Sequence, residues 1–129
     1  MPHISIEYSD NLEDAVDMSC LCETLRAAAA DHEAFPMPGV RVRAYPARHY
    51  AIADGDDTHG FIDIHVRLRE GRPAALKKDA TDTLFSAARN FLLPILADRS
   101  LALSLEMRDI DAELSPKMGT IRDHLGRQS

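Results

Sequence analysis

At 129 residues and a formal charge of −6, the chain fits one domain and lacks the basic balance of a general nucleic-acid binder. With 45% hydrophobic and 28% charged residues it reads as an ordinary globular protein, and no apolar run reaches the ~20 residues of a membrane span. The first residues lack the basic stretch and apolar core of a secretory signal, so a cytoplasmic protein without a membrane partner is expected.

The chain opens Met1-Pro2-His3-Ile4-Ser5-Ile6-Glu7. An initiator methionine is usually removed when the next side chain is small, which would leave Pro2 as the first residue with a secondary amine. Chain-terminal amines titrate near pH ~8. Burial and neighbouring cations both lower that value, because each disfavours the charged form. A base poised near the working pH is what proton-transfer chemistry requires.

From His3 to Tyr8 apolar and polar residues alternate, which predicts a half-buried strand. Ser9-Asp10-Asn11 offers capping oxygens for a helix over Glu13 to Asp31, with Leu21, Leu25, Ala28 and Ala29 at helical spacing. Cys20 and Cys22 point apart on such a helix and are expected to be free thiols. Phe35-Pro36-Met37-Pro38-Gly39 breaks the helix and leads to a second strand, Val40 to Tyr45. Either Val40 and Val42 or Arg41 and Arg43 then face away from the helices, depending on register.

Ala53 to Thr58 is a polar hinge, and Phe61 to Arg69 is the clearest alternating strand. Gly71-Arg72-Pro73 turns into a second helix reaching Asp98, with Leu76, Ala80, Leu84, Ala87, Phe91 and Ile95 along one side. Leu101 to Arg108 is a fourth strand, and a short helix is expected around Thr120 to Leu125. The pattern predicts an α/β (α+β) domain over 1–129. It holds two consecutive β-α-β units, about 2–57 and 58–113, and a tail over 114–129. Four strands would form one sheet with both helices on one face. A partly apolar second face would then favour oligomerisation.

Arg41, which opens the second strand, and Arg72, in the turn before the second helix, are placed to meet Pro2 at a strand end. Arginine grips carboxylates with a planar fork and stays charged throughout the biological range. Arg43, Arg67 and Arg69 lie on strands with no turn beside them and read as solvated charges. His3, His32, His49, His59, His65 and His124 show no metal-ligand spacing, and no cofactor loop is present.

Several blocks together resemble the 5-carboxymethyl-2-hydroxymuconate isomerase family of the tautomerase superfamily. They are Met1-Pro2-His3, Tyr8 to Asn11, Phe35-Pro36 with Gly39-Val40-Arg41, Ala53-Asp54-Gly55, Gly71-Arg72, and Arg99 to Glu106. The resemblance reaches about residue 125. It implies a homotrimer with two β-α-β units per chain and no cofactor or metal. The implied activity ketonises a di- or tricarboxylate dienol in homoprotocatechuate breakdown, with Pro2 as base and Arg41 and Arg72 binding carboxylates and polarising the dienolate. Two other readings keep the fold. One is a hydratase or dehalogenase in which Glu7, Asp63 or Glu106 activates water, and the other is a non-enzymatic trimeric binding module.

Overall fold

The computed structural model describes residues 1–126, so the last three residues of the expected tail lie outside the described residues. Strand β1 (His3–Ser9) sends Ile4, Ile6 and Tyr8 into the core. After a 3₁₀ turn at Asp10–Leu12, helix α1 spans Met18–Ala30. It therefore begins later than Glu13, the expected start. The turn is used to bury Leu12, and Ser9 is not the cap. Its hydroxyl accepts the Phe61 N–H at 2.9 Å, while the Asp17 carboxylate caps α1 by accepting the Cys20 N–H at 3.0 Å. Such a cap contributes about 1 kcal/mol.

A 3₁₀ turn at Met37–Gly39 precedes strand β2 (Arg41–Ala47), and strand β3 (Gly60–Arg69) follows the hinge. Helix α2 (Ala74–Asp98) leads to strand β4 (Leu101–Ile110), and a last 3₁₀ turn covers Ile121–His124 where a short helix was expected. Cys20 is exposed and Cys22 half-buried, both as free thiols.

The sheet runs β2-β1-β3-β4. Each β-α-β unit pairs its own strands in parallel, and the units meet through antiparallel β1 and β3. Leu21, Leu25 and Ala29 of α1 and Ala80, Leu84, Ala88 and Leu92 of α2 cover one face, over Ile62, Ile64, Val66 and Leu68. That apolar layer is the core, and its burial is the main drive for folding.

Register decides what the uncovered face carries. Ile4 pairs with Val42 and Ile6 with Ala44, so the small apolar residues of β2 lie under the helices. Arg41, Arg43 and Tyr45 go to the opposite face. The expected partly apolar second face is therefore a charged one. Arg41, His3, Arg67 and Arg108 form one row across it, and Tyr45, Glu7, Asp63 and Ser104 another.

Candidate active site

Antiparallel pairing of β1 and β3 brings the start of β1 beside the end of β3, and with it Pro2 beside Arg67, Arg69 and the Arg72 turn. Parallel pairing with β2 sets Arg41 opposite His3. Pro2 is fully buried, and Met1 lies over it half-buried. The turn before β2 comes so near that a Cβ on Gly39 would stand 3.0 Å from Pro2 Cδ and 3.4 Å from Met1 Cα. Glycine is needed there for space, not for a special backbone angle.

An open cleft of about 320 Å³ adjoins Pro2. It is lined by Pro36, Pro38, Gly39 and Arg41 together with Lys117, Met118, Ile121 and Arg122 of the C-terminal segment. The Met1 side chain sits at this cleft, with its sulfur 3.6 Å from Arg41 Nη1. Burial chiefly, then the charges of Lys117, Arg72 and Arg69, hold the terminal amine below its usual value of 8.0, and a hydrogen bond with Lys117 adds to this.

Arg72 is brought to the same end of the sheet but is not in the cleft wall. Its Nε donates to the Ala34 carbonyl at 2.7 Å and its Nη1 to the Arg69 carbonyl at 2.9 Å. It thus ties the end of β3 to the loop that carries Pro36, Pro38 and Gly39, and acts on the terminal amine through its charge.

His3 lies among these cations. Its Nδ1 accepts from Arg43 Nη1 at 3.0 Å, and burial followed by the charges of Arg43, Arg67 and Arg41 pushes its pKa down to about 4. It is therefore a neutral acceptor near pH 7. Among the described residues, none of Arg41, Arg67, Arg69, Arg72, Lys117 and Arg122 has a carboxylate at ion-pair distance. Elsewhere Arg26, Lys77, Lys78 and Arg108 each have one, while Arg48, Arg89 and Arg99, on separate segments, have none at ion-pair distance among the described residues. Unpaired cations gathered at one end of an acidic protein make a receptor for anions.

Among the described residues, no carboxylate lines the cleft. Glu7 and Asp63 face each other toward the far end of the sheet, Asp63 accepts from Ser104 Oγ at 2.7 Å, and Glu106 holds Arg108 at 3.2 Å. Glu7, Asp63 and Glu106, the candidates for activating water in a hydratase, therefore lie away from the Pro2 cleft. Arg67, Arg69, Lys117 and Arg122 were not read from the sequence as site residues. For the two strand arginines a signal existed, since antiparallel β1 and β3 would have placed them by Pro2. For Lys117 and Arg122 no periodicity or turn marks them.

A pair of β-α-β units, a buried proline at the start of the central strand and a cationic cleft beside it define a tautomerase-like protein. The fold is shared with a member of the cis-3-chloroacrylic acid dehalogenase family, at 18% identity over 91% of this chain and 80% of that one, with a TM-score of 0.65. The family model for 5-carboxymethyl-2-hydroxymuconate isomerase matches residues 2–125, and the chain belongs to that family. It is an isomerase. A solved 5-carboxymethyl-2-hydroxymuconate delta-isomerase is 34% identical, with a TM-score of 0.87 over 100% of this chain and 95% of that one. A 5-carboxymethyl-2-hydroxymuconate isomerase from Deinococcus radiodurans R1 is 30% identical, also at 0.87, over 95% and 92%. The 5-carboxymethyl-2-hydroxymuconate Delta-isomerase of Escherichia coli is 26% identical over 121 residues, 94% of this chain and 96% of its own length.

Proposed function

We propose that the enzyme ketonises a 5-carboxymethyl-2-hydroxymuconate-type dienol, with the Pro2 nitrogen as the base once Met1 has been removed. The observation that carries this reading is the burial of Pro2 among cations that have no carboxylate partner, in a chain of this family. Removing Met1 would also clear its side chain from the cleft beside Arg41. The charges of Lys117, Arg72 and Arg69, which lower the Met1 amine, would lie near the new terminus and act in the same direction.

In the reaction, the neutral proline nitrogen takes the 2-hydroxyl proton. Electrons move along the conjugated chain, and the same proton, or its equivalent, is returned at a more distant carbon. Bonds shift without net oxidation, so the product is the conjugated ketone. Arg41 holds a carboxylate and Arg72 adds positive potential where negative charge develops. Fixed cations at such a position are often the largest contribution to rate. The physiological setting is homoprotocatechuate breakdown in the cytoplasm.

The working form is a homotrimer. Its interfaces would draw on the uncovered sheet face away from Arg41 and on the exposed Leu114 and Leu125. The test is the rate of dienol ketonisation by processed enzyme and by Pro2→Ala. A loss of at least ~10²-fold is expected from removing a general base. An unchanged rate rejects Pro2 in that role.

A further inference from the structure

We propose that Lys117 is a substrate-binding residue that sets specificity. It would take the substrate carboxylate that Arg41 does not hold, and the C-terminal segment delivers it to the cleft. This rests on the isomerase reading above and adds the chemistry of the second anion site.

The segment is held at both ends. At its start the Asp111 carboxylate accepts the N–H groups of Glu113 and Leu114 at 2.8 and 3.1 Å, and Ala112 N–H donates to Glu70 at 2.6 Å. At its far end the 3₁₀ turn Ile121–His124 meets the turn Met37–Gly39 on the other side of the cleft. Between these anchors, residues 116–120 cross the cleft beside Met1, and Met118 is 95% exposed.

Lys117 lines two adjoining recesses. One is the Pro2 cleft, with Arg41 and Arg122. The other is a smaller hollow of about 100 Å³ with His3, Arg67 and Arg69. In the unprocessed chain the charge of Lys117 lowers the pKa of the Met1 amine, which lies over Pro2. Among the described residues no carboxylate is at ion-pair distance of Lys117. With Met1 removed, the same charge would favour a neutral Pro2 base and remain available to a substrate carboxylate.

Lys117 and Arg41 line the same cleft as Pro2 from separate segments, so each could hold its own carboxylate of one molecule while the atoms between them pass Pro2. The other titratable and charged groups at the two recesses are Arg41 from β2, His3 from β1, Arg67 and Arg69 from β3 and Arg122 from the tail, and Arg72 from the turn after β3 acts through its charge. Each is cationic except His3, which is neutral near pH 7. Removing Lys117 lowers the local positive potential, so the base should regain a higher pKa.

The test uses full-length processed enzyme, wild type, Lys117→Met and Lys117→Arg. Turnover is measured on 2-hydroxymuconate, a dicarboxylate, and on 5-carboxymethyl-2-hydroxymuconate, a tricarboxylate. Binding of unreactive glutarate and tricarballylate is measured alongside by calorimetry. The proposal expects Lys117→Met to weaken the tri-acid about 10-fold or more in KM and in binding, and the di-acid less than about 3-fold. It also expects Lys117→Arg to recover most of the loss, and the acid limb of the kcat/KM profile to move to higher pH in Lys117→Met. An equal effect on both acids, or none, overturns it. If wild type binds tricarballylate but ketonises neither dienol, the isomerase reading fails, and the binding series alone decides Lys117.

Discussion

The two β-α-β units are related across the central β1–β3 pair, so the start of β1 and the start of β3 are equivalent places at opposite ends of one sheet. They have been finished in opposite ways. At the β3 start, the His59 ring lies between Ser100 Oγ at 2.6 Å and Asp54 Oδ1 at 2.8 Å, and Asn11 Nδ2 donates to the His59 carbonyl at 2.8 Å. Gly60 N–H donates to the Ser100 carbonyl at 2.9 Å, and a Cβ on Gly60 would stand 3.0 Å from Leu12. Apart from Asn11 Oδ1, which is buried without a partner, this end is closed by its own hydrogen bonds. At the β1 start the cations have no acidic partners and a cleft opens beside Pro2. One end spends its polar groups on stability, and the other keeps them for a ligand.

After Pro2 itself, the sharpest way to break this contrast is Arg41→Gln. Its loss should lower kcat/KM by roughly 10- to 100-fold, the range expected when a charge-assisted hydrogen bond to substrate is removed, with an unchanged circular-dichroism melt. Gly39→Ala comes next. The added methyl would press on Pro2 Cδ, and a displaced base should cost about 10-fold in kcat with only a small change in melting temperature. A fully active Gly39→Ala would show that Pro2 needs no exact seat.

The opposite end should answer in the opposite currency. His59→Ala removes the bridge between Ser100 and Asp54 and should cost about 1–2 kcal/mol of stability by denaturant unfolding. Its turnover at a temperature where it stays folded should match wild type. The smallest effect expected is that of His3→Gln. Burial and arginine neighbours lower the folded pKa of His3 from 6.5 to about 4. Between those two values the unfolded chain binds a proton that the folded chain does not, so stability falls as pH drops through that window. The substitution should flatten that part of the pH–stability curve, read from thermal melts between pH 4 and 7.

Much of this plan was legible before any coordinates. Strands alternating at period two, such as Phe61 to Arg69, announce both their existence and their buried side, because one face must meet the helices. Arg41 was legible too, since it stands just after a turn glycine at a strand start. The start of α1 was not. Leu12 and Val16 are four apart and fit a helical face, yet they are buried from a turn and a loop. The sheet's open face could not be assigned either, because the choice between Val42 and Arg43 is a matter of register against β1, a contact about forty residues away. Lys117 lay furthest from reach. Its place depends on where an aperiodic segment crosses after two anchors, Asp111 and the turn at 121–124, have fixed its ends.

The cleft is lined by three stretches far apart in sequence: Met1 and Pro2, the turn and strand start at 36–41, and residues 117–122. Changes confined to residues 111–124 should therefore reshape the pocket while the sheet and its helical layer stay in place.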